Sequence, residues 1–377
     1  MTTTTALATA PVADFEPAIY HGMSFADYRR IPAWNWSLIK LLADKSPMHL
    51  LWAAQHPDEG DTTARVKLRA IHSAVLEPER FETDFAVFEG PGTRASKLYK
   101  SFAAIALAQG RDVLMAREHA AIAATAAAVR AHPRVAEMMA EGEGEVTLTW
   151  LDEPTGMPCK GRIDWLGPDC MFDLKTLGTT SQREIARMVA RYHYHGQLAH
   201  YSAGLRAHGI DVPAHLVIAE GKPPDDVVVQ MLDNGMPDGA LYVGEQLRAR
   251  LMTRLAECVA TDSWPGMSDE IEDVIWGIGQ PAGEGGYNIA RVISALAGLE
   301  VPGVSVNRYC SSSLQTIRMA AHAIKAGEGD CFVAGGVETV SRYMYGAADT
   351  GTHNESFAAA EARTEARQAE GSDTWTP

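Results

Sequence analysis

Two aspartates and a lysine fall close together in GRIDWLGPDCMFDLKT, residues 161–176: Asp164 near the end of one short β-like run, Asp173 opening a second, and Lys175 two positions beyond. A hairpin of two such strands brings both carboxylates to one side, close enough to share a divalent cation. Alternation of strand side chains then points Lys175 to the same face. A hard cation such as Mg2+ takes oxygen ligands, commonly one or two carboxylates completed by water. Phosphodiester hydrolysis needs a polarised phosphoryl group and an activated water. Asp164 and Asp173 suit the cation, while Lys175 can orient or deprotonate the water or stabilise charge on the phosphate. Glu145, on the preceding run EVTLTW, adds a third carboxylate. Read alone, the pattern also describes two surface aspartates and a solvated lysine on a hairpin, so the surroundings decide.

Those surroundings hold further polar groups. YHYHGQLAHY places Gln197 and Tyr201 four residues apart on one helical face, either a grip on a phosphate or base or a core tyrosine with a polar neighbour. His72, ahead of LEPERF, is a ligand candidate or a packed helical histidine. His193, His195 and His200 lack the spacing of a zinc helix. A second chemistry stands far downstream. Cys310 sits where the run VSVN turns into a helix, and backbone N–H groups at a helix start favour the thiolate. Such a thiol suits acyl transfer, or it is a buried structural cysteine.

The elements that must carry these groups follow from periodicity and turn signals. The first fourteen residues are Thr/Ala-rich and lack a basic region, so they read as a disordered leader. Ser37 is placed to cap a helix over SLIKLLADK, and ARVKLRAIHSAVL forms a second helix that stops near Pro78. Residues 84–100 are mixed, and 101–140 are Ala-rich and helical with breaks at Gly110 and near Pro133. EVTLTW, KGRIDWL and MFDLKTL then form a three-stranded meander. A helix over Gln182–Arg206, strands at AHLVIAE and 227–230, and a helix over Leu241–Cys258 complete an α/β core with its chemistry on the meander. Near residues 268–273 the text becomes Gly-rich, with strand VSVN, a helix over Ser313–Ala326 and strand CFVAGG. Residues 356–370 read as an exposed helix.

Composition bounds the function. At 377 residues, 46% of them hydrophobic, the chain can hold two domains and a sizeable core. Its formal charge is −15, and the part from Glu272 onward has 7 Lys+Arg against 13 Asp+Glu, a net of −6 that leaves −9 upstream. Neither part coats nucleic acid by bulk charge, although a local basic channel remains compatible with an acidic whole. Five cysteines without a CxxC pair, no secretory signal and no membrane-spanning apolar run point to a cytoplasmic protein.

From about residue 20 to 270 the chain resembles the PDDEXK nuclease domain of phage-type exodeoxyribonuclease VIII (RecE-like) proteins. The matching pieces are SLIKLLADKSPMHL, IHSAVLEPERF, EVTLTW, KGRIDWL, FDLKT, YHYHGQLAHY and TDSWPG, several ordered motifs rather than one. The resemblance implies a restriction-endonuclease-like α/β core. His72 falls on the family's metal histidine, Asp164 and Asp173 on its catalytic metal carboxylates, and Lys175 on its catalytic lysine. Glu145, Gln197 and Tyr201 fall on accessory positions. It implies a Mg2+-dependent exodeoxyribonuclease, with Mn2+ as a substitute. Such an enzyme resects linear duplex ends 5′ to 3′ for recombination and hands the single strand to an annealing protein. A toroidal homo-oligomer is also implied, and threading of DNA ends through it accommodates an acidic net charge. The sequence departs from the family before the histidine, where Arg69-Ala70-Ile71 replaces small residues.

Residues 272–377 resemble the N-terminal part of a thiolase (acetyl-CoA acyltransferase) through DVIWGIGQPAGEGGYNIAR, VPGVSVNRYCSSSLQTIRMAAHAI and AGEGDCFVAGGVETVSR. The resemblance puts Cys310 on the acylated nucleophile. It starts inside the fold and ends before the second half. No Gly-His-Pro segment or later Cys-x-Gly segment supplies the remaining acid/base groups, and Cys331 does not match the second cysteine. A nucleophile without those groups is not expected to turn over. The expected organisation is therefore a leader over 1–14, a nuclease domain over 15–270 and an incomplete thiolase-like segment over 272–377. Thiolase-like acyl transfer through Cys310, or silent binding of DNA ends or a partner, are the competing functions.

Overall fold

A computed structural model of the chain describes residues 15–57, 62–232, 239–339 and a few positions between 362 and 371. The expected leader lies outside the described residues, as does most of the expected helix at 356–370. Contacts divide the chain into two compact units, Met1–Gly266 and Met267–Pro377.

The first unit opens with β1 (Ala18–Tyr20), α1 (Phe25–Arg30) and three short helices, α2 (Trp36–Ile39), α3 (Leu41–Asp44) and α4 (Pro47–Gln55). Next come α5 (Thr63–Leu76), α6 (Pro78–Asp84), β2 (Phe85–Phe88), α7 (Lys97–Ala108), β3 (Asp112–Met115), α8 (Ala116–Ala131) and α9 (Pro133–Met138). The meander is β4 (Glu143–Leu151), β5 (Pro158–Leu166) and β6 (Met171–Thr176). It is followed by α10 (Gln182–Arg191), α11 (Tyr194–Ala207), β7 (Ala214–Ala219), β8 (Val227–Leu232) and α12 (Ala240–Thr261). β1, β4, β5, β6, β7 and β8 form one sheet in that order, antiparallel except for the parallel pair β6–β7. The expected α/β core with a three-stranded antiparallel meander is the observed one.

The sheet has an apolar cluster on each side. One joins Leu148, Trp150 and Leu216 to α2, α3, α11 and α12 through Trp36, Leu42, Leu198 and Leu251. The other joins Phe172, Leu174 and Val217 to α5, α8 and α9 through Val75, Ile122 and Val135. Helices on both faces account for the continuous burial of β7, AHLVIA, which sits between two neighbours and has no solvent side.

Four local expectations are corrected. The residue that caps α2 is Asn35, whose side-chain oxygen accepts from Leu38 N at 3.0 Å; Ser37 lies inside the helix. The mixed stretch contains β2, and the Ala-rich stretch is interrupted by β3; these pair in parallel and pack with α7 through Phe88, Ala106 and Val113. Four-residue strands beside long helices are too short to show a period. The helix expected over Gln182–Arg206 is broken at His193, which adopts φ 54°, and its ring meets Asp44 at 2.9 Å. No glycine or proline marks that break.

The second unit contains β9 (Asp273–Gly277), α13 (Ile289–Leu296), β10 (Gly303–Val306), α14 (Ser312–Ala326) and β11 (Phe332–Gly336). The strands form a parallel sheet of order β10-β9-β11, so both outer strands are edges. Its buried apolar residues, among those described, are Val274, Ile275, Ile278, Ala290 and Ala320. Leu296 is 85% exposed and Leu314 70%.

Candidate metal centre

The site grows from one row across the central strands. Pairing of Gly144 with Trp165 and of Val146 with Ile163 places Glu145 opposite Asp164. Pairing of Trp165 with Phe172 and of Leu166 with Met171 places Asp164 opposite Asp173. Neither of these two carboxylate pairs closes a ladder bridge. Directly opposed like charges repel across a sheet, so a row of three carboxylates is a cost that folding alone does not explain. Glu145 adds to it, because its φ of 58° is left-handed. For a residue with a side chain that costs about 1–3 kcal/mol, and such strain clusters at functional sites.

The row is also where the strands change allegiance. Ile163 belongs to the first apolar cluster, whereas Trp165, two residues along, belongs to the second. Side chains of both helical layers can therefore reach the carboxylates. From the second layer, His72 on α5 brings Nδ1 to 3.6 Å from Asp164 Oδ2. From the first, Gln197 on α11 donates from Nε2 to Asp173 Oδ1 at 3.0 Å and to Tyr201 Oη at 2.9 Å. Gly161 on β5 makes that approach possible, since a Cβ there would lie 2.9 Å from the Tyr201 ring.

His72, Glu145 and Asp164 each offer a ligand atom, and these atoms all lie within 4.8 Å of one another. This is the one such group among the described residues. An imidazole with two carboxylates fits a divalent cation of the Mg2+/Mn2+ type, with the nitrogen better suited to Mn2+. The expected ligand set, His72, Asp164 and Asp173, is thus arranged differently. Glu145 completes the close trio, while Asp173 lies beside it with Oδ2 2.5 Å from Lys175 Nζ. Oδ2 has no well-directed hydrogen bond, so this contact is charge against charge. Asp164 Oδ2 is held by the backbone N–H of Leu174 at 2.6 Å.

Burial and charge set the protonation of the row. Burial pushes Asp173 up to about 6, outweighing the opposing pull of Lys175. Asp164 is equally buried, yet His72, Lys175 and the Leu174 N–H hold it below the usual carboxylate range. Burial and the Asp164 charge raise Glu145 in spite of Arg162. Burial would lower Lys175, but Asp173 and Asp164 raise it and keep the ammonium charged. His72 is raised likewise, burial being outweighed by Asp164.

Three features of the site go beyond what was expected from the residues. Arg162, an unremarked member of GRID, pairs with Glu145. Tyr194 places its ring 4.9 Å from Lys175 Nζ. The left-handed backbone of Glu145 is the third. The alternation i, i+2 from Asp164 back to Arg162 was available to find the first. The departure at Arg69 is accommodated: its guanidinium meets Asp112 on β3 at 2.6 Å, while Ala70 is buried against the sheet. His193, His195 and His200 turn to Asp44, Val189 O and Lys160 O and stay out of the trio. Cys310 lies exposed in the turn Tyr309–Ser311 before α14.

Residues 36–275, well over half of the chain, match the family described as a PDDEXK-like domain of unknown function (DUF3799). The chain belongs to this family. A solved structure from Eubacterium rectale named "Putative exonuclease" is similar over 66% of this chain and 90% of its own, at 14% identity and a TM-score of 0.49. Residues 246–370, overlapping the end of that match, match the thiolase N-terminal domain. A beta-ketoadipyl-CoA thiolase of Acinetobacter baylyi is 53% identical over 78 residues, 20% of each chain. A 3-ketoacyl-CoA thiolase of Colwellia psychrerythraea is 50% identical over 72 residues, 19% of each. The chain thus spans about a fifth of the length of the curated relatives it matches. One chain joins a PDDEXK-like domain to a stretch similar to part of a thiolase.

Proposed function

We propose that the chain is a divalent-cation-dependent exodeoxyribonuclease that degrades linear duplex DNA from its ends, 5′ to 3′, with Mg2+ as the cation and Mn2+ as a substitute. The observation that carries this reading is the strained carboxylate row with His72 on one side and a charged lysine on the other. His72, Glu145 and Asp164 would hold the cation. Bound there, it would polarise the phosphoryl group and acidify a water. Lys175, kept protonated by Asp173 and Asp164, is suited to neutralise charge on the phosphate rather than to take a proton. Gln197 fixes one oxygen of Asp173, so the carboxylate beside Lys175 keeps its orientation. Tyr201, buried and bonded to Gln197, steadies that amide.

The same reading includes a homo-oligomer that encloses the duplex, an annealing protein that receives the single strand in recombination, and a cytoplasmic location. Among the described residues no helix is long and apolar enough to cross a membrane. We propose further that the nuclease domain spans 15–270 and that the thiolase-like segment over 272–377 is catalytically silent. The test uses end-labelled linear duplex and closed circular duplex with the full chain. Loss of the linear form alone, abolished by EDTA, is expected; binding of ends without cutting in Mg2+ and Mn2+ would make the protein a silent end-binder.

A further inference from the structure

Arg162 precedes Asp164 by two residues on β5 and is 9% exposed. Its Nε donates to Glu145 Oε2. Its Nη1 donates to Met23 O at 2.8 Å and reaches Thr147 Oγ1 at 3.4 Å. The guanidinium also lies 6.0 Å from the Phe25 ring. Its own place is therefore fixed from three directions, by the segment before α1, by β4 and by an aromatic face. Glu145 has the opposite character: a left-handed backbone, no ladder bridge at its position and a like charge across the row. Left to itself, that carboxylate has every reason to turn away from Asp164. Arg162 occupies one carboxylate oxygen and leaves Oε1 without a protein hydrogen bond among the described residues.

We propose that Arg162 is a positioning residue, which holds Glu145 where its free oxygen joins His72 and Asp164 and so presets the trio for a divalent cation. The inference rests on the reading of that trio as a cation site. A planar fork anchored at several points can hold a carboxylate in one orientation; a lysine at the same place keeps the charge but loses the fixed geometry. Removing an outer partner that orients a ligand lowers metal affinity by about 10–100-fold.

The test is Mn2+ titration of the full-length protein without DNA, followed by calorimetry or by the electron paramagnetic resonance of free Mn2+. Arg162→Gln is expected to weaken binding about 10–100-fold, and Arg162→Lys to fall between it and the wild type. In a Glu145→Gln background the same Arg162→Gln change should have no further effect, because the group it positions is gone. A purely structural role through Met23 and Thr147 would lower the Tm yet leave Mn2+ affinity in place. Wild-type affinity in Arg162→Gln, or an undiminished loss in the Glu145→Gln background, overturns the inference alone. If Arg162→Gln does not fold, wild-type affinity in Arg162→Lys does so. A wild-type protein that takes up no Mn2+ overturns the cation reading and this inference with it.

Discussion

The two compact units treat their reactive side chains in opposite ways. In Met1–Gly266, Asp173 meets Lys175 from its own strand and Gln197 from α11, while Asp164 meets His72 from α5 and a backbone N–H from β6. In Met267–Pro377, the one side chain of comparable interest, Cys310, is exposed and makes no hydrogen bond among the described residues. The difference follows from layers. A sheet covered on both faces can bury charged groups and point partners at them from two directions, and burial is what shifts Asp173 to about 6. Among the described residues, the three-stranded sheet has few buried apolar residues and leaves Leu296 and Leu314 exposed, so it shields Cys310 little. Reactive residue types occur in both units, but among the described residues a constellation occurs in one.

The comparison breaks most readily at the carboxylate row. Asp164→Ala, Asp173→Ala and Lys175→Ala should each lower the rate of linear-duplex degradation by at least about 10²–10³-fold, measured at saturating DNA and Mg2+. Activity that survives Lys175→Ala would move the chemistry elsewhere. Gln197→Ala should cost less, about 10–100-fold, because it removes the orientation of Asp173 and not the charge. A third handle is the anchor of the helix that carries His72. Glu118 on α8 receives Arg94 at 2.5 and 2.8 Å and meets Lys67 of α5 at 2.7 Å. Arg94, then Lys67 and the Met115 N–H, overcome burial and hold Glu118 down to about 2. A depressed acid stabilises the fold above its unfolded pKa and loses that contribution as pH falls toward the folded value. Glu118→Gln should therefore lower Tm at pH 7 and converge with the wild type near pH 2; an equal gap at both would deny the ion pairs their role. The smallest effect is expected from Cys310→Ala. It should leave DNA degradation unchanged, and the wild type should cleave no acetoacetyl-CoA with CoA. Thiolysis abolished by Cys310→Ala would reverse the contrast between the units.

How much of this is legible in the residues differs by feature. The meander, the helices that flank it and the order of Glu145, Asp164, Asp173 and Lys175 follow from alternation and turn signals, because each strand there is six residues or longer. The partner groups Gln197 and Tyr201 follow from helical spacing, and their hydrogen bond at 2.9 Å is its direct consequence. What periodicity does not carry is the passage from one apolar cluster to the other at the row, or the left-handed backbone of Glu145. The Glu145 carboxylate meets Arg162 from β5, and Arg162 in turn meets Met23 O, both distant in the chain. The same holds for the break at His193, where Asp44 from α3 supplies the contact. The close trio holds Glu145 beside His72 and Asp164, while Asp173 meets Lys175 and Gln197.

Cutting of DNA ends by this carboxylate row is the central expectation. The most direct measurement compares wild type and Asp173→Ala on end-labelled linear duplex and closed circular duplex, with Mg2+ and again with EDTA. Loss of the linear form by the wild type with Mg2+ only, intact circles throughout and no degradation by Asp173→Ala are expected. Undiminished degradation by Asp173→Ala would contradict it.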